Sequence, residues 1–134
     1  MPGTPGDAYG LLRTAAASDN PTIFLEHKNQ YYDRGPVSFE PIPFGQARIA
    51  REGTHATIVA TQQILAYALQ AADELAAEGI EVEVVDPRTL YPFDMDSVYA
   101  SVGKTRHLVV GHEAVRDYGW GAEFVAQAVE AAWD

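Results

Sequence analysis

Short apolar runs alternate with longer amphipathic segments in the second half of the chain. Residues 57–60, 82–85 and 107–111 are apolar runs of four or five residues, typical of buried strands. Between the first two, residues 62–78 repeat apolar positions at helical spacing and end before Gly79, a residue typical of helix ends. Because strands that alternate with helices form βαβ units, this pattern predicts an α/β fold with a mostly parallel sheet covered on both faces.

Two more amphipathic helices and an edge strand complete this half. One helix begins at Asp94, a capping residue, and is predicted to end at Gly103, whereas the other spans residues 119–133. Residues 47–52 are the predicted edge strand. The residues predicted to face inward are Met95, Val98, Tyr99 and Val102 in the first helix and Ala122, Val125, Val129 and Ala132 in the second.

The first 46 residues have a different character. Thr4, Pro5 and Asp7 are typical of a helix start, and Asn20-Pro21 is a helix stop. The inward face of this helix is predicted to consist of Ala8, Leu11, Leu12 and Ala15. Residues 22–25 predict a short buried strand, and the prolines and glycines of residues 26–46 predict a linker between two units.

Two places at carboxyl ends of predicted strands are candidates for a site, because open α/β sheets bind ligands or partners there. Asp86-Pro87 ends one strand, and His112-Glu113 follows another as an acid/base pair or an interface. Just beyond, Gly119 and Gly121 either approach an anion at a helix start or allow close packing, and Trp120 between them is an interface anchor or a core residue.

Composition excludes several classes of chemistry. The sequence of 134 residues has no cysteine, which excludes disulfides, thiol catalysis and Cys-based zinc sites. A net charge of −10 repels a phosphate backbone, so nucleic acid is not an expected ligand. No apolar run approaches the length of a membrane span, and no signal peptide is visible. We therefore expect a soluble, cytoplasmic protein with one compact domain and no membrane partner.

Catalytic motifs are missing as well. The four histidines have no metal-ligand spacing, and the full G-x-G-x-x-G, the P-loop and G-x-S-x-G do not occur. The residues alone therefore predict no catalytic and no cofactor-binding group.

Four segments, taken in order, resemble the β subunits (E1 components) of thiamine-diphosphate-dependent 2-oxo acid dehydrogenases. They are DAYGLLRTAAASDNPTIFLEHK, PFGQARIAREGTHATIVA, EVEVVDPRTLYPFD and SVGKTRHLVVGHEAVRDYGWGAE. The resemblance implies that residues 47–134 form a transketolase-like C-terminal domain, a three-layer α/β/α fold with a mostly parallel five-stranded sheet. It implies that residues 1–25 are the tail of a pyrimidine-binding domain and residues 26–46 the linker.

The resemblance also implies a role. The intact α2β2 enzymes decarboxylate a 2-oxo acid and transfer the acyl group to the lipoyl domain of the E2 acyltransferase. Thiamine diphosphate and magnesium are held by a motif on α and activated by a glutamate of the β pyrimidine domain, and this sequence has neither. We therefore expect a fragment that is inactive alone, binds no thiamine diphosphate, and serves assembly with an α subunit, a second β subunit and E2.

Particular residues follow from the same resemblance. The expected interface consists of His112, Glu113, Tyr118, Gly119 and Trp120, where the family's GGFG becomes YGWG. Some relatives bind potassium at positions that match Ala15, Ser18 and Asn20.

Three questions stay open at this point. Transketolases and deoxyxylulose-phosphate synthases share this domain, and the latter share the VVDPR corner. A small-anion-binding or regulatory module is a further alternative. The first helix either packs on the domain, is buried in another copy or is disordered, and we expect residues 1–45 to be disordered or swapped into a homodimer.

Overall fold

The computed structural model describes residues 1–133, with side-chain surroundings to residue 131. It contains four strands, which are β1 (Arg48–Arg51), β2 (Ala56–Ala60), β3 (Val82–Asp86) and β4 (Leu108–Gly111). The helices are α1 (Pro5–Ala17), α2 (Gln62–Ala76), α3 (Met95–Thr105) and α4 (Trp120–Trp133), and Lys28–Gln30 form a short 3₁₀ turn. Within residues 1–133, no helix is both long and apolar enough to cross a bilayer.

The four strands form one mixed sheet in the order β1-β3-β2-β4. Strand β2 is parallel to β3 and β4, whereas β1 runs antiparallel to β3. Helix α2 covers one face through Leu65, Ala68 and Ala72, and α3 and α4 cover the other through Val98 and Phe124. The prediction of a three-layer α/β/α fold is confirmed.

The number and identity of the strands differ from the prediction. The sheet has four strands among the described residues, not the five that the family resemblance implied. Residues 22–25 form no strand and are not buried as predicted, since Ile23 is 87% exposed. The reason is that no strand of the sheet pairs with this segment. The prediction was based on apolar composition alone, which does not show whether a neighbouring strand is available for backbone hydrogen bonds.

Helix α3 does not end at Gly103 as predicted but continues to Thr105. The last turn is held by the hydroxyls of Ser101 and Thr105, which are buried and each lie 2.7 Å from the hydroxyl of Thr57 on β2. The helix ends where Arg106 adopts a left-handed conformation with φ 63°.

Helix α4 is rotated about its axis relative to the prediction. Ala122, Val125 and Val129 are exposed, and Phe124 and Ala128 are buried in their place, while Ala132 lies outside the described side chains. Phe124 packs on Phe93 with ring centroids 5.0 Å apart. A shift of one residue turns a helix by about 100°, so a bulky aromatic contact here decides the inward face.

Helix α1 begins as predicted and packs on the domain of the same chain. The Thr4 hydroxyl accepts a hydrogen bond from the backbone N–H of Asp7 at 3.1 Å. Leu11 is buried, although Leu12, predicted to share its face, is exposed. Of the three arrangements proposed for this helix, packing on the domain of the same chain is the one observed. Leu11 is therefore buried without the expected disorder or swap into a second copy.

The segment before β1 follows the surface of α1. The N–H of Ile42 donates to the carbonyl of Gly10 at 3.0 Å, and the Thr14 hydroxyl donates to the carbonyl of Ile42 at 2.6 Å. Phe39 packs edge-on against Tyr9 with centroids 5.4 Å apart. These contacts hold the proline-rich segment in place without regular secondary structure.

Candidate functional site

The carboxyl ends of the three parallel strands meet at one edge of the sheet. Strand β2 ends at Ala60, β3 at Asp86 and β4 at Gly111. The corner of residues 86–94 follows β3, and His112 follows β4 just before helix α4. Ligands and partners of open α/β sheets bind at such an edge, which makes it the candidate site.

The corner is held by hydrogen bonds that fix the start of β1 and of α3. The Thr89 hydroxyl donates to the carbonyl of Pro92 at 2.7 Å and accepts from the N–H of Gly45 at 3.0 Å. Asp94 caps α3 by accepting from the N–H of Ser97, as predicted, and also accepts from the N–H of Ala47 at 2.8 Å. Burial acts to raise the pKa of Asp94, but these hydrogen bonds outweigh it and hold that pKa below its ordinary value.

Four charged residues form a cluster beneath the corner, which we call the buried charge cluster: Asp7, Arg48, Asp86 and Arg88. One nitrogen of Arg48, Nη2, lies 3.2 Å from Asp7 and 2.9 Å from Asp86. Arg88 lies 2.9 Å from Asp7 through Nε, and its backbone N–H donates to Asp86 at 3.1 Å. Both aspartates are buried, and the two arginines are the counter-charges nearest to their carboxylates. The cluster joins α1 to β1 and to the end of β3.

Burial raises the pKa of Asp86 to about 6, and the charge of Asp7 acts in the same direction, while Arg48 opposes both. A carboxyl group whose folded-state pKa exceeds its unfolded-state pKa binds more protons when folded. Its contribution to stability is therefore full below the unfolded-state pKa and is lost as the pH rises through the folded-state pKa.

A pH dependence of stability follows. We expect the contribution of Asp86 to the free energy of unfolding to fall by about 2–3 kcal/mol between about pH 4 and pH 6.5. Denaturant titrations of the wild type and of Asp86→Asn give the free energy of unfolding at each pH in this range. The contribution of Asp86 is the difference between the two proteins in how steeply that free energy changes with pH. If the free energy of unfolding changed with pH in the same way in both proteins, Asp86 would have an ordinary pKa.

His112 packs against the start of α4. Its ring lies 4.9 Å from that of Trp120, centroid to centroid, and its Nδ1 is buried with no hydrogen-bond partner among the residues that the structure describes. A Cβ on Gly121 would overlap the imidazole of His112, and one on Gly119 would lie 2.9 Å from it. The two glycines therefore serve close packing, one of the two interpretations of the sequence. Trp120 also contacts Phe93 and Phe124, which makes it part of the core.

Glu113 turns away from His112 and pairs with His27. The His27 Nε2 atom lies 2.7 Å from Glu113, and its Nδ1 accepts from the N–H of Asn29 at 3.3 Å. His112 and Glu113 therefore do not act together as an acid/base pair. The interpretation as an interface stays a prediction. Sequence reasoning missed His27 because no local pattern links it to a residue so far along the chain.

Comparison with known proteins decides the family. Residues 45–134 match the model of the transketolase C-terminal domain. The chain belongs to this family. The pyruvate dehydrogenase E1 component subunit beta of Leifsonia xyli subsp. xyli is 44% identical over 134 residues, which covers 98% of this chain and 40% of that protein. The mitochondrial subunit beta-2 of Oryza sativa subsp. japonica is 39% identical, covering 100% of this chain and 37% of that protein.

Proteins with other names also match this chain. The acetoin:2,6-dichlorophenolindophenol oxidoreductase subunit beta of Cupriavidus necator is 45% identical and covers 98% of this chain. A solved split-gene transketolase, described as an inactive beta4 tetramer, matches with a TM-score of 0.64 and 33% identity over 70% of this chain and 31% of that chain. The chain spans between 37% and 40% of the length of the three curated relatives described here.

Tyr118 is the most exposed member of the predicted interface in this transketolase C-terminal domain. Its side chain is fully exposed, and its backbone is left-handed with φ 64°. Side chains other than glycine rarely adopt this conformation, because the Cβ approaches the following carbonyl. A tyrosine here is therefore strained and makes no packing contact that offsets the strain.

We expect Tyr118→Gly to raise the free energy of unfolding by about 1 kcal/mol, because glycine removes the backbone strain. The greater conformational entropy of glycine in the unfolded chain offsets part of this gain. Tyr32→Gly is the matched control, since Tyr32 is also almost fully exposed but is not among the residues with positive φ. Tyr32→Gly should leave the free energy of unfolding unchanged or lower it slightly. Chemical denaturation measures both, and equal effects of the two substitutions would contradict strain at Tyr118.

The residues predicted to bind potassium lie in the turn after α1. The carbonyl of Ala15 accepts from the N–H of Ser18 at 3.3 Å, and the Ser18 hydroxyl accepts from the N–H of Asn20 at 3.1 Å. These groups bond to one another in this structure. The potassium site stays a prediction.

Thiamine diphosphate with magnesium does not fit the residues that the structure describes. Among residues 1–133, no three His, Asp or Glu side chains are grouped to hold a metal ion. The most buried arginine-paired carboxylates, Asp7 and Asp86, are already engaged within the buried charge cluster. We therefore derive no catalytic step from this chain.

Proposed function

We propose that this chain provides the transketolase-type C-terminal domain of an E1 β subunit of a 2-oxo acid dehydrogenase, where it serves subunit assembly. The observation that carries the proposal is the 44% identity to a pyruvate dehydrogenase E1 subunit beta over 98% of the chain. A 3-methyl-2-oxobutanoate dehydrogenase subunit beta of Mycobacterium tuberculosis is 41% identical over 97% of it. The proposed partners are an E1 α subunit, a second β subunit and E2.

The geometry of the candidate edge supports an assembly role. Tyr91, Val115 and Tyr118 are large, exposed side chains on the two loops that follow β3 and β4. Beneath them, His112 and Trp120 form a packed support, and Glu113 is half-exposed. Exposed aromatic side chains on a rigid support are typical of protein interfaces. We therefore assign the partner contacts to Tyr118 and Glu113, and the support to His112, Gly119 and Trp120.

Several finer assignments belong to the same proposal. Residues 47–134 form the C-terminal domain, residues 26–46 the linker and residues 1–25 part of a pyrimidine-binding domain. Thiamine diphosphate and magnesium are held elsewhere in the assembled enzyme, and potassium binds at Ala15, Ser18 and Asn20. The protein is cytoplasmic and has no activity without its partners, so thiamine-diphosphate-dependent turnover of pyruvate by the purified chain would contradict the proposal.

A split transketolase is the second candidate. The structural match to a split-gene transketolase at 33% identity favours it. On that reading the chain would pair with the other half of a split transketolase, so the choice of partner separates the two candidates.

Sedimentation velocity of the chain mixed with candidate partners tests the proposal. We expect a complex with the α subunit of a pyruvate or 3-methyl-2-oxobutanoate dehydrogenase E1, and none with the cofactor-binding chain of a split transketolase. Tyr118→Asp should weaken the complex about tenfold or more. Tyr67→Asp, which changes an exposed tyrosine in the middle of α2, should not. A folded chain that binds no E1 α subunit would overturn the assignment.

A further inference from the structure

The two aspartates of the buried charge cluster lie on opposite sides of the contact between α1 and the sheet. Asp7 belongs to α1, whereas Asp86 ends β3, and both side chains are buried. The Nη2 atom of Arg48 lies 3.2 Å from Asp7 and 2.9 Å from Asp86, so the two carboxylates are close to one another. Like charges at short distance repel and favour a proton on one of the two groups. This repulsion acts directly across the contact that holds α1.

The residues that lead into α1 lie directly on Asp86. A Cβ on Gly3 would lie 3.1 Å from a carboxylate oxygen of Asp86 and would overlap the side chain of Leu65. Residues 1–7 therefore bury Asp86 and also bring the charge of Asp7 close to it. Release of α1 from the sheet would expose Asp86 to water and remove the like charge at the same time.

Four charged groups face Asp86 from the surrounding elements. They are Asp7 of α1, Arg48 of β1, Arg88, which donates its backbone N–H at 3.1 Å, and the backbone amine of Met1. Burial and the charge of Asp7 raise the pKa of Asp86 to about 6, while Arg48 opposes them. Both causes of the increase depend on the docked position of α1.

We propose that protonation of Asp86 controls how tightly α1 is held on the sheet, so that α1 is docked firmly in acid and more loosely near neutral pH. Docking raises the pKa of Asp86, so the docked chain binds this proton more tightly than a chain with α1 released. The contribution of the proton to docking is therefore full below about pH 4, where a solvated aspartate titrates, and is lost as the pH rises through about 6. A pKa difference of about two pH units corresponds to a change of about a hundredfold in the docking equilibrium.

Hydrogen exchange of the α1 amides between about pH 4.5 and pH 7.5, corrected for the chemical exchange rate at each pH, tests the proposal. We expect release of α1 in the wild type to become about tenfold or more frequent as the pH rises through this range. Asp86→Asn, whose amide is neutral at every pH, should remove this dependence and keep α1 protected at neutral pH. The amine of Met1 is present in both proteins, so its own titration does not account for a difference between them.

Asp73→Asn is the matched control, since it neutralises a carboxylate of α2 that is largely exposed. Its α1 amides should keep the wild-type pH profile. Amides of β3, an inner strand of the sheet, report global unfolding and separate it from release of α1. Equal protection of α1 and β3 at every pH would overturn the proposal, because α1 would then open only with the whole fold. A flat wild-type profile, or one that Asp86→Asn leaves unchanged, would overturn it as well.

NMR titration of the Asp86 carboxyl carbon provides the reciprocal measurement and does not require Asp86→Asn to fold. We expect Asp7→Asn to lower the pKa of Asp86 by about half a pH unit or more, because the like charge is removed and Arg48 is left to Asp86. An unchanged pKa of Asp86 in a folded Asp7→Asn variant would refute the coupling of the two carboxylates. None of these measurements involves an E1 α subunit, so the control of α1 docking and the proposed function can fail separately.

Discussion

Replacing Arg48 with methionine is expected to lower the free energy of unfolding by about 3–5 kcal/mol at neutral pH. The Nη2 atom of Arg48 lies within 3.2 Å of Asp7 and Asp86, whose side chains are only 2% and 0% exposed. Methionine preserves much of the length and apolar character of the side chain. The loss of stability therefore reports mainly the removal of the guanidinium charge. Without Arg48, Asp86 loses its arginine side-chain partner, and Asp7 keeps only its pair with Arg88.

Arg51→Met is the matched control on the same strand. Arg51 pairs with Asp73 and Glu81, whose side chains are 77% and 48% exposed. Solvent screens such pairs, and we expect a loss of only about 1 kcal/mol, which includes the hydrogen bond that Arg51 donates to the carbonyl of Val82. Urea denaturation at neutral pH compares the two variants. Equal losses would mean that the buried charge cluster contributes no more than an exposed ion pair.

Gly53→Ala is expected to destabilise the fold by about 3–4 kcal/mol. A Cβ at this position would overlap the backbone of Val82 and Glu83 at the start of β3. Backbone atoms inside a sheet cannot move aside as a flexible side chain can. The N–H of Gly53 also donates to the buried carboxylate of Glu83 at 3.3 Å, so a shift of the loop would disturb a buried charge as well.

Gly103→Ala provides the opposite control. Gly103 lies inside α3, and within residues 1–133 nothing beyond its own stretch of helix lies within 4 Å of an added Cβ. Alanine in an open helical position should raise the free energy of unfolding by about 1 kcal/mol through helix propensity. Thermal or urea denaturation of both variants measures the two changes. If Gly53→Ala proved as stable as the wild type, the close approach of its loop to β3 would be wrong.

Elements whose residues interact locally could be predicted from the sequence. The apolar runs of β2, β3 and β4 and the stripe of α2 have their own periodicity, and the caps at Thr4 and Asp94 bond to residues three positions away. Gly79 ends the region of α2 in a left-handed conformation with φ 83°, as its type predicts. In each case, the physical cause lies within one turn of the chain.

Features that depend on distant residues could not be predicted. The buried charge cluster combines Asp7, Arg48 and the Asp86–Arg88 corner from three separate segments, and nothing near any one segment indicates the other two. The rotation of α4 depends on aromatic packing against Phe93, which outweighs the valine stripe. The candidate edge was predicted from the general position of sites in α/β sheets. The pairing of Glu113 with His27 is known only from the fold.

Hydrogen exchange of the chain alone and in the presence of an E1 α subunit tests the central claim most directly. If this domain serves E1 assembly through the candidate edge, slower exchange is expected in residues 86–94 and 112–120. Residues 70–76, at the end of α2 that lies away from the edge, should be unchanged. Unaltered exchange throughout those two segments, in a sample where the α subunit is folded and in excess, would contradict the claim.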